Sequence, residues 1–163
     1  MQPILLATDG SPSADTAAAK AIELAIALDA PLLVVAIWDV EYAPVGSALG
    51  MTPIPPDLTR IGEDHAEAVV QRTADTAQAA GVHVRTIVRR GIPVQRICEL
   101  AEERDARLIV IGSHGWGPIR RFVFGSVSTG VLHHATCPVL IVPAVSPEVD
   151  VTEADTAPVE LEV

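Results

Sequence analysis

The chain has 163 residues, the size of a single ordinary domain, and 49% of them are hydrophobic with only 3% aromatic. An aliphatic core of that kind suits helices packed on a β-sheet. The net charge is −10, and an acidic surface repels phosphate backbones, so no nucleic-acid partner is expected. No apolar run approaches the roughly 20 residues that span a bilayer. The start, Met1-Gln2-Pro3-Ile4, has no basic leader region, and two cysteines are too few for a disulfide framework. The expectation is a cytoplasmic protein with two buried thiols, Cys98 and Cys137, and no membrane partner.

Ile4-Leu5-Leu6-Ala7 is a short apolar run ended by Asp9-Gly10, which predicts a buried first strand. Ser11 followed by Pro12 is a helix start, and Ala14 to Leu28 is the first helix, with Ala18, Ile22 and Ala25 at helical spacing. Pro31 to Trp38 is continuously apolar, the pattern of a strand buried on both faces of a parallel sheet. Glu41 to Thr59 carries four prolines and reads as a long loop of the kind that often serves as a lid. Arg60 to Ala80 is a second helix closed by Gly81, and Val82 to Val88 has strand character. Gly91-Ile92-Pro93 opens a third helix whose apolar positions 94, 97, 98 and 101 share one face.

Leu108-Ile109-Val110-Ile111 is the next strand and runs directly into Gly112. Val127 to His134 is a short helix, and Pro138 to Pro143 is the last strand. Alternating strands and helices predict a doubly wound parallel sheet, whose ligands bind beyond the carboxyl ends of the strands at the point where the winding reverses. After Pro143 the chain has six acids and no base, leaving 15 acids against 11 bases before it. This tail, in which Val159, Leu161 and Val163 alternate with acids, is either disordered or a late edge strand.

The segment from Gly112 to Ser128 has the chemistry of a phosphate loop. Gly112 and Gly115 permit turns and a close backbone approach, while Gly125 and Ser126 stand where a helix begins. The Ser126 and Ser128 hydroxyls add possible donors. It is not a Walker loop, because the only lysine is Lys20, in the first helix. No Gly-x-Gly-x-x-Gly follows the first strand either. Arg120 and Arg121 are the nearby cations, either phosphate partners or solvated surface groups. His114 is expected to face solvent. His133, His134 and Cys137 lack the further ligands of a closed metal site.

Gly112-x2-Gly115-x9-Gly125-Ser126, the short helix after it and the strand Cys137-Pro138-Val139-Leu140-Ile141-Val142-Pro143 resemble the universal stress protein family. Ile4 to Ser11 is similar to that family's first strand and acidic turn, and the resemblance covers residues 3–143. The glycine spacing with its serine marks the ATP-binding branch. The resemblance implies that Asp9 meets the ribose or a metal, rather than only capping the first helix. It implies that the backbone at Ile37 meets adenine. Gly112 and Gly115 would line the middle of the nucleotide, and the amides of Gly125, Ser126 and Val127 would hold phosphates bridged by Mg²⁺ or Mn²⁺. With Thr8, Gly10, Ser113 and Ser128 these form the candidate site. The resemblance also implies a homodimer paired through Val139 to Val142. Trp116 and Pro118 depart from the small or basic residues expected in the loop.

The expected architecture is a single doubly wound five-stranded parallel sheet, order 3-2-1-4-5, with helices on both faces. It comprises a nucleotide-binding domain over 1–143 and an acidic tail over 144–163. The expected function is an adenine-nucleotide-dependent stress or signalling switch, with ATP as the leading ligand. ADP, AMP and cyclic AMP are not distinguished. The alternatives are an interaction protein of the same fold that binds no nucleotide, and a slow ATP hydrolase with Asp9 or His114 as its base. No efficient catalytic set is evident.

Overall fold

The computed structural model describes residues 1–38, 56–114 and 125–144, with side chains of the second helix described from Arg60. The elements are β1 (Ile4–Ala7), α1 (Pro12–Ala27), β2 (Leu32–Trp38), α2 (Pro56–Ala79), β3 (Val84–Arg90), α3 (Pro93–Glu103), β4 (Leu108–Gly112), α4 (Ser126–His134) and β5 (Val139–Val142). The five strands form one sheet in the order β3-β2-β1-β4-β5, and every pairing is parallel. The expected strand order and winding are both observed.

Two clusters cover the two faces, because alternate residues of a strand point to opposite sides. Ile4, Leu6, Val34 and Val110 join α1 and α2 on one face. Leu5, Leu33, Val35 and Ile109 join α3 and α4 on the other. In α1 the buried stripe is largely alanine (Ala14, Ala17, Ala18, Ala21 and Ala25 with Ile22). Small side chains there let the helix axis sit close to the sheet. β1 and β2 are wholly or nearly buried, which explains their unbroken apolar sequence.

Several boundaries differ from the sequence reading, each for a local reason. α2 begins at Pro56, inside the expected loop, since a proline in the first helical turn lacks only a hydrogen bond that no helix makes there. The remainder of that loop lies outside the described residues. α2 ends before Gly81, which takes φ +83°, and the Val82 amide donates to Ala77 O at 3.0 Å. Val82 therefore closes the helix, and β3 starts two residues later than expected and runs to Arg90. Gly125 precedes α4 as its N-cap, so the helix starts at Ser126.

Cys98 and Cys137 are free and half-buried rather than fully buried, packed on the α3/α4 cluster. Burial pushes both thiols up, and at Cys98 the neighbouring Cys137 and Glu102 add to the effect. No described helix is long and apolar enough to cross a membrane.

Leu6, fully buried, should cost about 2–5 kcal/mol when cut to alanine, while Ile26→Ala, at a residue 57% exposed, should stay within about 0.5 kcal/mol in urea denaturation. A raised thiol leaves less thiolate at neutral pH, so both cysteines should react with a disulfide reagent at pH 7 well below the rate of a free thiol.

Candidate functional site

The winding reverses between β1 and β4, which lie side by side in register from Ile4 and Leu108 to Ala7 and Ile111. The chain leaving β1 is Thr8-Asp9-Gly10, and the chain leaving β4 is Ser113-His114. β2 continues past the end of β1, since Ala7 pairs with Val35 while Ala36, Ile37 and Trp38 pair only with β3. Ile37, half-buried and packed on the α3/α4 cluster, thus overhangs the end of β1. The sequence-predicted residues 8–10, 37, 112–113 and 125–128 all belong to this carboxyl end. Gly115 lies outside the described residues, as do Trp116, Pro118, Arg120 and Arg121.

The exit of β4 is fastened to two helices by consecutive carbonyls. His114 C=O accepts from the hydroxyls of Ser11 (3.3 Å) and Ser13. Ser113 C=O accepts the Gly125 amide at 2.7 Å and the Ser128 hydroxyl at 3.0 Å. Ser11 also caps α1, accepting from the Ala14 amide at 3.3 Å. Ser11 and Ser13 were not singled out as site residues. Their signal, two serines flanking a proline at a helix start, reads only as capping. Of the six buried polar side chains among the described residues, five (Thr8, Ser11, Ser13, Ser113 and Ser128) lie at this end.

Two glycines are explained by packing. A Cβ on Gly112 would lie 2.5 Å from Ser13 Oγ and 2.8 Å from the Ser13 carbonyl carbon. Gly10 holds φ +73°, and a Cβ there would meet a Val69 methyl of α2 at 2.8 Å. At Gly125 the added atom would face Ser113 O at 3.2 Å, toward the protein. Asp9 is exposed, and its Oδ1 accepts the Ser11 amide at 3.0 Å. The Ser128 hydroxyl donates inward, also reaching Gly125 O at 3.0 Å, so its proton is committed to the chain. His114 does not face solvent as expected. Its Nδ1 lies 2.9 Å from Ser113 Oγ, and Nε2 is buried without a hydrogen-bond partner among the described residues.

α4 supplies the outward-facing chemistry. Its first turn is closed by the Thr129 amide, which donates to Gly125 O at 3.0 Å. The amides of Ser126, Val127 and Ser128 precede that bond and have no partner within the helix. No acidic residue stands in the first turn, so the positive end of the helix dipole is not neutralised from within. Ser126 is exposed and Val127 half-buried. Among the described residues no three metal-ligating side chains converge, and Asp9 is a carboxylate two residues beyond the end of β1. Two surface depressions lie elsewhere, one between α2 and β3 and one between α3 and α4.

Gly112→Ala should destabilise the fold by about 1–3 kcal/mol, because the methyl meets backbone that cannot move aside. Ser128→Ala should cost about 0.5–1.5 kcal/mol, since it removes a hydroxyl donor to Ser113 O and Gly125 O while each keeps an amide donor. Thermal or urea denaturation measures both.

Comparison with known proteins shows the family and the fold. Residues 1–143 match the universal stress protein family. A universal stress protein of Methanocaldococcus jannaschii is 32% identical over 139 residues, which is 85% of this chain and 80% of that protein. The structure of universal stress protein UspA from Lactobacillus plantarum superposes with a TM-score of 0.73 at 25% identity, covering 86% of this chain and 97% of that one. A universal stress protein solved in complex with cAMP superposes with a TM-score of 0.62 at 30% identity, covering 88% and 98%. The chain is a member of the universal stress protein family.

Proposed function

We propose that this chain binds an adenine nucleotide over the carboxyl ends of β1 and β4, with its phosphates against the start of α4. The observation that carries the reading is the set of amides at Ser126, Val127 and Ser128, which have no partner within the helix and stand beside the buried hydroxyls of the strand exits. Backbone donors on a positive helix end are the chemistry that phosphate requires. A related protein of this family, 30% identical, was solved with cAMP, which supports the adenine part of the assignment.

In this reading Thr8, Asp9 and Gly10 receive the ribose, Ile37 borders adenine, and Gly112, Ser113, Gly115 and Gly125 form the floor. The amides of 126–128 hold the phosphates. Three such donors favour a polyphosphate, so ATP is the leading ligand. A Mg²⁺ or Mn²⁺ ion would be held by the phosphates with Asp9 as its protein carboxylate. Occupancy would shift a conformational equilibrium and change partner binding, a nucleotide-dependent switch in the cytoplasm. The aliphatic edge of β5, Val139 to Val142, would pair two copies. The division into a binding domain over 1–143 and an acidic tail after it completes the proposal.

The test uses the helix start itself. Ser126 is the first residue of α4 and follows Gly125 in extended backbone (φ −63°, ψ 159°), so proline fits at 126. Ser126→Pro deletes one amide proton without breaking the helix. Titration calorimetry with ATP, ADP, AMP and cAMP should show binding by the parent chain and a loss of about tenfold, or about 1.4 kcal/mol, in the variant at an unchanged melting temperature. Equal affinity in both chains would remove the helix start from the site. No binding of any of the four by the parent would remove the nucleotide reading altogether.

A further inference from the structure

The two edges of the sheet are chemically unlike. β5 ends the sheet with four aliphatic residues, whereas β3 ends it with Val84-Arg85-Thr86-Ile87-Val88-Arg89-Arg90. Among the described residues β3 pairs only with β2, so the other row of its amides and carbonyls is open. The two sides of this edge differ as well. Val84 and Val88 belong to the α1/α2 face, where Thr86 and Val88 line an open depression with Ala68, Val70, Asp64 and Glu67 of α2. Arg85 and Arg89 stand on the opposite side, flanking Ile87. Both are exposed and neither has an ion pair among the described residues. Arg90 instead lies over the Trp38 ring at 5.5 Å.

We infer that the free edge of β3 is the docking site of this chain's own C-terminal segment, Pro158-Val159-Glu160-Leu161-Glu162-Val163, added as a sixth strand. The period of the segment is two, as a strand demands, and both of its sides match. With Glu160 and Glu162 on the side of Arg85 and Arg89, the pairing of opposite charges across neighbouring strands is favourable. Val159, Leu161 and Val163 then fall on the other side, over a depression in which Ala68, Val70 and Val88 lie among Asp64, Glu67, Gln71 and Thr86. The open backbone row supplies the main-chain hydrogen bonds, the mode by which extended peptides join sheet edges.

Length permits the connection. The tail leaves from the end of β5, four strand spacings from β3, roughly 19 Å at about 4.8 Å each. Residues 145–157 extend to roughly 43 Å at about 3.3 Å per residue. Two copies of β3 are a poorer match for each other, because arginines would face arginines. The inference stands independently of the nucleotide reading, since no residue is shared.

The experiment is amide hydrogen exchange on the full chain, followed at residues 84–90. The parent should protect both rows of β3 amides. Glu160→Lys with Glu162→Lys should speed exchange in the outward row by about tenfold or more, leaving β1, β2 and β4 unchanged. Adding Arg85→Glu and Arg89→Glu to that variant should restore protection, which no general loss of stability would do. Outward amides that exchange equally fast in the parent and the Glu-to-Lys variant would overturn the inference. Protection that falls away at high protein dilution would overturn it in favour of a second copy as the occupant.

Discussion

At Gly112 the main chain of β4 passes so close to the first turn of α1 that no side chain fits between them. The carboxyl end of the sheet depends on this approach. Because α1 touches the strand exit, the hydroxyls of Ser11 and Ser13 reach the carbonyl of His114. The preceding carbonyl, on Ser113, points the other way and takes the amide of Gly125 and the hydroxyl of Ser128. Adjacent carbonyls of an extended chain point to opposite sides, so a single strand exit fastens α1 on one face and α4 on the other. The start of α4 is thereby fixed relative to β1, although eleven intervening residues separate it from His114 in the chain.

Polar groups buried at such a place are costly unless they are bonded. Ser11, Ser13 and Ser128 spend their protons on backbone carbonyls, and Thr8 accepts the Gly10 amide at 3.3 Å. The hydroxyls hold the frame, and the donors that remain are the main-chain amides that begin α4. This separation of tasks has a physical advantage. Backbone donors at a helix start are held by the whole helix and lose little freedom when they meet an anion, whereas serine rotamers would have to be ordered.

Much of the fold was legible because it rests on patterns of length and period. The unbroken apolar runs at 4–7, 32–37 and 108–111 become buried strands, and the alanines of 14–25 become the stripe that α1 lays on the sheet. The site was legible as a region, since glycine, serine and a strand end coincide at 112–113 and 125–128. The reason for each residue was less so. Gly112 reads as room for a ligand, yet its Cβ position is filled by Ser13, a contact between residues far apart in the chain. His114 reads as a solvent group because histidine in a loop usually is one, yet its ring is turned inward beside Ser113. Pro56 reads as loop and begins a helix, because proline breaks a helix only past its first turn. Such errors share a cause: sequence periodicity reports which face is buried, but not which partner fills it.

The same limit applies at the sheet edges, where the sequence carries a different kind of information. An interior strand of a parallel sheet must be apolar on both sides, and β1 obeys this fully. An edge strand has only one neighbour, and its composition therefore records what may approach the open side. β3 holds three half-buried aliphatic residues (Val84, Ile87 and Val88) among three exposed arginines, so it packs on the sheet while its charge repels a second copy of itself. A uniformly basic edge in a chain of net charge −10 is not explained by solubility, which an acid would serve as well. The acids that would complement it are concentrated after Pro143, at the end of the chain that leaves from the opposite edge. A basic open strand and an acidic alternating segment within reach of it on the same chain are each unusual alone, and pairing them accounts for both.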